Sequence, residues 1–393
     1  MTPEHIVANR TGRFCLPLPS NRLGLYLALR HWCHPGQRLL MSPLSADEIL
    51  FLVLAAGLRP VIAPLHPDDG NIDVDGVDLG TVDAVLTTNL YGLPDRVAAF
   101  AGKLLIEDVA HAIETTVDGR PLGTFGVAGV FSLSKHAGAG SGGVLAVEHR
   151  SDLRALERDR DRLLEPGAFR KEVYTVLTSA ARHAALRLNM VRPALRAMRA
   201  LGMEEEREGY RIASRPHDLL TALSDAPSLP LFDSWVRADL HDYRARRGHL
   251  SRWYQARRLR VLPRQRSRRI AGVATLATLP TVAPGVRGHL DQPLFRVPLL
   301  VSGRDAAIAV LERHGIATGY LYDPPYDRYL PDFTDPSPRP EVAQWWGRHV
   351  LPVDPLYAYR AMPVLTRLAP APPLPPRLAT SPAPLPPAAS GAV

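Results

Sequence analysis

Val127-Ala-Gly-Val-Phe-Ser-Leu-Ser-Lys-His-Ala-Gly-Ala-Gly-Ser-Gly-Gly-Val-Leu-Ala146 reads as two short apolar runs around a polar turn and a glycine-rich loop. The pattern predicts one strand over 127–133 and another over 143–147, with Lys135 where the first run ends. The chain has three lysines, Lys103, Lys135 and Lys171, among 47 Lys and Arg. Where a solvated cation suffices, this sequence uses Arg. A Lys kept in that background fits chemistry that needs a primary amine able to lose its proton, above all a Schiff base, which a guanidinium does not form. A surface cation at a strand end is the other reading of the same residue.

Upstream, strands are predicted at 38–41, 59–63, 83–88 and 103–106, the last running into Glu107 and Asp108. Helices are expected over 46–56, ended by Gly57, and from near Pro94. Short apolar strands alternating with helices indicate a mostly parallel sheet covered on both faces, an α/β fold. Ligands of such sheets bind beyond the strand C-termini, which is where Asp108 and Lys135 fall. Before these units, Ser20 or Asn21 can cap a helix whose Leu23, Tyr26, Leu27 and Leu29 bury one side. The free N–H groups at that helix start suit an anion, although an ordinary N-cap explains the same residues.

Downstream, residues 152–164 and 169–203 read as helices, the second interrupted at Pro193 and rich in Arg. Packing on the sheet or on a second copy is the expected use of that basic helix; contact with an anionic membrane surface is the less favoured one. Residues 208–230 look like a connector. A long helix with Trp235, Leu240, Tyr243, Leu250 and Trp253 then leads into strands near 294–301, a helix at 304–314 and a strand at 315–320, with Trp345, Trp346, His349 and Leu351 packed near the end. The organisation expected is an irregular N-terminal arm (1–13), a large domain (14–230, with 151–207 as a helical insertion), a smaller C-terminal α+β domain (231–368) and a disordered Pro/Ala-rich tail (369–393).

Composition narrows the function. A net charge of +8 is spread along the 393 residues, with a local concentration at 257–269. No zinc spacing, RNA-binding aromatic motif or helix-turn-helix accompanies it, so a nucleic-acid partner is not expected. The longest apolar run, 49–57, is too short to span a bilayer, and no basic segment precedes an apolar one at the N-terminus; a cytoplasmic protein is the expectation. Cys15 and Cys33 make neither a disulfide framework nor a metal-ligand spacing, and no metal is expected.

Asp108 and Lys135, at the ends of two strands, can face one crevice. A Schiff base with an aldehyde cofactor needs such a Lys, and a pyridine ring used as an electron sink needs a carboxylate that keeps its nitrogen protonated. A cofactor phosphate needs a helix N-terminus and hydroxyls, which Ser20, Asn21, Ser132 and Ser134 supply. These are the parts of a pyridoxal 5'-phosphate (PLP) site.

The sequence resembles the DegT/StrS-type PLP-dependent sugar aminotransferases, of the fold-type-I, aspartate aminotransferase-like class. The resemblance is carried by the collinear stretches 21–30, 55–61, Asn71-Ile-Asp73, Leu90-Tyr-Gly92, Ile106-Glu-Asp-Val-Ala-His-Ala112, 119–126 and Phe131-Ser-Leu-Ser-Lys135 before Gly142-Gly143. It covers about residues 16–148 and is loose beyond, where only 315–319 and 350–355 look like the family's small domain. It implies a large PLP-binding domain and a small C-terminal domain. By the same resemblance Lys135 is the Schiff-base lysine and general base, Asp108 pairs with the pyridinium nitrogen, and His111 stands near the cofactor's phenolic oxygen. Ser132, with Ser20 and Asn21 at the helix start, matches the phosphate site. A histidine simply packed on the sheet is the alternative for His111; Glu107 reads as structural.

Four features depart from the family pattern. Residues 42–48 carry no aromatic to stack on the cofactor, the loop between Phe131 and Lys135 is short, Arg211 stands where an Asn that reaches the neighbouring subunit is usual, and the Pro-rich tail replaces a closing helix. The function implied is transfer of an amino group from an amino acid donor, glutamate, to a keto acceptor, a nucleotide-linked keto sugar, by a homodimer. A PLP enzyme with another acceptor or reaction in natural-product biosynthesis, and a degenerate non-catalytic homologue acting as a partner protein, are the alternatives.

Overall fold

The computed structural model describes residues 1–187, 193, 216–224 and 245–374. Its strands in chain order are β1 (Phe14–Leu18), β2 (Arg38–Met41), β3 (Arg59–Ile62), β4 (Ala84–Thr87), β5 (Leu104–Asp108), the short β6 (Thr116–Val117) and β7 (Arg120–Pro121), β8 (Ala128–Ser132), β9 (Gly143–Val147), β10 (Val297–Leu300) and β11 (Val350–Val353). Seven form one sheet in the order β1-β9-β8-β5-β4-β2-β3. Strands β3, β2, β4, β5 and β8 run parallel, and β9 is antiparallel to both β8 and β1. The fold is α/β, with a large, mostly parallel sheet.

Side-chain alternation decides which face each residue serves. Leu39, Met41, Leu86, Ile106, Val130 and Leu145 enter one core, with helices α2 (Asn21–Trp32) and α3 (Asp47–Ala55). Leu40, Val85, Leu105, Phe131, Val144 and Ala146 enter the other, with Val7, Leu259 and Leu262. Because both faces are covered, the strands read as continuous apolar runs rather than as alternating ones.

The first correction is at the N-terminus. Residues expected to be irregular form α1 (Pro3–Thr11), which lies against β1 and β9. The helix escapes an apolar-periodicity reading because it buries only Pro3 and Val7. It is tied down by charge instead: Arg10 pairs with Glu114 at 2.5 Å, Arg252 pairs with Glu4, and Arg260 donates to the carbonyl of Met1. The expected helix near Pro94 is a single 3₁₀ turn, Val97–Phe100.

After β9 come α4 (Arg150–Leu163), α5 (Phe169–Arg187), α6 (Pro216–Ser224), α7 (His249–Leu259) and α8 (Leu262–Leu276). The remainder of the predicted helix to residue 203, the connector apart from 216–224, Arg211, and the predicted helix start with Trp235, Leu240 and Tyr243 lie outside the described residues. The C-terminal part contains β10 antiparallel to β11, with α9 (Arg304–Arg313), α10 (Pro340–His349) and α11 (Ala358–Leu365). Residues 315–320, expected as a strand, are irregular apart from a bridge at Tyr320; Gly315 in the left-handed region instead closes α9. The segment from 369 is ordered further than its composition suggests. Ser302 N–H donates to Ala369, Ala371 N–H to Leu300, and Trp345 to Pro372. Residues 375–393 lie outside the described part.

Candidate active site

Parallel pairing of β5 with β8 sets Asp108 opposite Val130, so the chain leaves both strands at the same end of the sheet. Asp108 ends β5, and Lys135 follows β8 by three residues. The Lys135 charge is close enough to act on both Asp108 and His111. Three residues singled out in the sequence therefore meet in one place.

Asp108 is held from several sides. Its Oδ1 accepts from the Ala110 N–H at 3.0 Å and from Asn21 Nδ2 at 3.2 Å. Its backbone carbonyl accepts from Asn89 Nδ2 at 3.1 Å. Burial pushes the carboxyl up to about 6, against the opposing pull of these donors and of the Lys135 and Arg22 charges. The Ala110 N–H and the Asn21 amide both reach Oδ1. A ligand cation placed against the carboxylate would offset the cost of burying its charge.

Asn21 therefore acts differently from the expectation. Its amide braces Asp108 and the carbonyl of Val130, and only its backbone remains at the helix start. Ser20 is the N-cap of α2, its Oγ accepting from Leu23 N–H at 3.1 Å. This start is pressed onto β9: a Cβ on Gly143 would stand 2.7 Å from the Asn21 nitrogen. Ser132 and Ser134 share a hydrogen bond of 2.9 Å between their hydroxyls at the end of β8. β8 pairs with β9, and Ser132 lies opposite that same Gly143, so the serines and the start of α2 converge on one glycine. Hydroxyls and helix N–H groups at one spot make a cradle for a phosphate.

His111 is buried, and its Nδ1 has no hydrogen-bond partner among the described residues. Burial, with the nearby Lys135 and Arg296 charges, lowers it well below the usual imidazole value, so it is neutral. Glu107 is a structural carboxylate, as its sequence reading holds: it accepts the N–H groups of Gly123, Phe125 and Gly126 at 2.7–2.8 Å. The stretch 42–48, which lacks the aromatic, is wholly buried, and Glu48 pairs with Arg22 at 3.3 Å.

Sequence reading did not reveal Asn89, Arg22, His136 or Phe295. Asn89 left one signal, a polar residue in a turn before Gly92; it sits at φ 47°, in the left-handed region that Asn tolerates better than most residues. Phe295 left none, because it arrives from a distant segment.

The sheet thus places an acid and a lysine beyond the C-terminal ends of adjacent parallel strands, beside the start of α2. Residues 12–158 match the model of the DegT/DnrJ/EryC1/StrS aminotransferase family. The spore coat polysaccharide biosynthesis protein SpsC of Bacillus subtilis is 30% identical over 138 residues, 32% of this chain and 35% of that protein. The L-glutamine:2-deoxy-scyllo-inosose aminotransferase of Streptomyces kanamyceticus is 30% identical over 141 residues, 33% of each. The matched region thus spans about a third of these curated relatives. The fold is shared over a greater length. Helicobacter pylori PseC, an aminotransferase involved in the biosynthesis of pseudoaminic acid, superposes with a TM-score of 0.63 at 13% identity, covering 92% of this chain and 90% of that one. A GDP-4-keto-6-deoxymannose-3-dehydratase with a trapped PLP-glutamate geminal diamine gives 0.63 at 17% identity, covering 92% and 91%.

Proposed function

We propose that the chain is a PLP-dependent aminotransferase that takes an amino group from glutamate and delivers it to a keto acceptor, a nucleotide-linked keto sugar. The observation that carries this reading is the meeting of Lys135 with a buried Asp108 that Asn21 and the Ala110 N–H hold in place. The bound cofactor would supply an electron sink that stabilises negative charge at the substrate carbon.

The protein residues then have distinct tasks. Lys135 holds the cofactor through its amine and, once released, moves a proton at the substrate carbon. Asp108 keeps the proton on the ring nitrogen; its charge, costly alone, is compensated by that cation. Asn21 and the Ala110 N–H fix the carboxyl, and Asn89 holds the Asp108 backbone carbonyl, so that no reorientation is needed during reaction. His111, neutral, can donate to or accept from the phenolic oxygen without adding a second positive charge beside Lys135. Ser20, Ser132, Ser134 and the first N–H groups of α2 hold the phosphate.

Glutamate as donor, a nucleotide-linked keto sugar as acceptor and the homodimer come from the family resemblance; of the relatives, one is named for L-glutamine and 2-deoxy-scyllo-inosose and another for the biosynthesis of pseudoaminic acid. A PLP enzyme with another reaction is a second reading, favoured by the dehydratase that shares the fold. The deciding experiment is the visible spectrum of purified protein with added PLP, before and after borohydride, followed by peptide mapping. A yellow protein, bleached by borohydride with a pyridoxyl adduct on Lys135, supports the cofactor and its anchor together. Bleaching by glutamate supports transamination over the second reading. A protein that takes up no PLP removes the proposal and leaves a non-catalytic partner protein.

A further inference from the structure

We infer that Phe295 is a positioning residue of this site: its ring covers and orients the imidazoles of His111 and His136 beside Lys135. The inference deepens the proposed function and rests on it for its catalytic meaning; the covering itself stands on geometry alone.

The Phe295 ring lies nearly parallel to His111, with centroids 5.0 Å apart at 23°, and tilted against His136 at 5.4 Å and 56°. His111 and His136 are only 2% and 3% exposed, whereas Phe295 is half-buried. Phe295 is therefore an outer layer between these imidazoles and water. A stacked aromatic also restricts ring rotation, which a shapeless apolar cover does not.

Its backbone is clamped on both sides. Arg269 Nη1 donates to the carbonyls of Leu294 and Phe295 at 3.2 and 3.4 Å, and the Arg296 N–H donates to Tyr91 at 3.0 Å. Gly92, at φ 93°, lets the segment in: a Cβ there would stand 2.8 Å from the Phe295 nitrogen and 2.9 Å from the His111 carbonyl. Phe295 precedes β10 by two residues, so the clamp ties the site to the C-terminal part of the chain.

The charges around the pair all oppose protonation. Lys135 and Arg296 act on His111; Arg269, Arg10 and the neighbouring His111 act on His136. The carboxylates in reach are engaged already, Asp354 by Arg269 and Arg296 and Glu114 by Arg10. Burial is the largest cause that keeps both imidazoles neutral, and Phe295 contributes to that burial.

The test is a pH titration, from 5 to 8, of the full chain without PLP, with ¹³C-labelled histidine ring signals read by NMR. Signals are assigned with His111→Gln and His136→Gln. In the unsubstituted protein both signals should stay in the neutral position throughout. In Phe295→Ala, His111 should begin to titrate within this range, with a midpoint below the ordinary imidazole value of about 6.5 because the Lys135 and Arg296 charges remain, and Phe295→Tyr should restore the flat profile. Phe295→Val, which keeps an apolar side chain but shortens the cover, serves if the Ala variant does not fold; the water it admits should still bring His111 into the titrating range. A folded variant of either kind in which both signals remain flat overturns the inference. This readout needs no cofactor, so failure of PLP to bind would count against the proposed function and leave the covering role to be judged by the titration.

Discussion

Replacing Asp108 by Asn in the cofactor-free protein should make the fold more stable at alkaline pH. Burial raises the Asp108 carboxyl from 3.8 to about 6. That is about two pKa units, or ~3 kcal/mol of unfavourable free energy for holding the ionised group inside the fold. The sign follows from proton linkage: the native state binds the proton more tightly than the unfolded chain between pH 4 and 6. Native stability therefore falls as pH rises through that window and is level above it. Asn carries no charge, and its amide oxygen can still accept from Asn21 and Ala110. Urea unfolding of the two cofactor-free proteins should show Asp108→Asn ahead by up to ~3 kcal/mol at pH 8, with the advantage fading below pH 6 and absent near pH 4. The same substitution should abolish the visible band with PLP, a trade of function for stability. Equal stabilities at pH 8, or a variant whose stability keeps the same slope between pH 4 and 6, would refute the reasoning.

Lys135→Ala should lower the thermal midpoint of the cofactor-free protein at pH 8, where the lost charge no longer offsets ionised Asp108, and should leave it nearly unchanged near pH 4, while borohydride should fix no pyridoxyl group to the chain, as mass spectrometry would show. Glu107→Ala strands three backbone N–H groups in the interior; at about 1–3 kcal/mol each, it should unfold at much lower urea or fail to fold. Gly143→Ala forces the start of α2 away from β9, at a cost of about 1–3 kcal/mol for overpacking, and PLP affinity measured by fluorescence quenching should fall more than stability does.

Much of the sheet was legible because parallel strands buried on both faces leave an apolar signature bounded by turns. Predicted strands at 38–41 and 143–147 match β2 and β9 to the residue, and those ending at Asp108 and before Lys135 are found with ends shifted slightly. Lys135 and Asp108 stood out by composition and by their place after strands, and the fold brings them together. Helix α1 was not legible, because ion pairs hold it and long-range ion pairs have no period in sequence. The start of the Pro-rich segment was misjudged for a similar reason: 369–372 are ordered by backbone hydrogen bonds, which composition does not report.

By itself the sequence determined the alternation of strands and helices, the cap at Ser20 and the candidate acid and lysine, because these follow from local pattern and residue chemistry. Only the tertiary structure decided that Asn21 serves Asp108 rather than an anion directly, that His111 is neutral, and that Phe295, 184 positions after His111 in the chain, closes over it. Those outcomes depend on burial and on contacts between distant segments, and both arise only when the chain is packed.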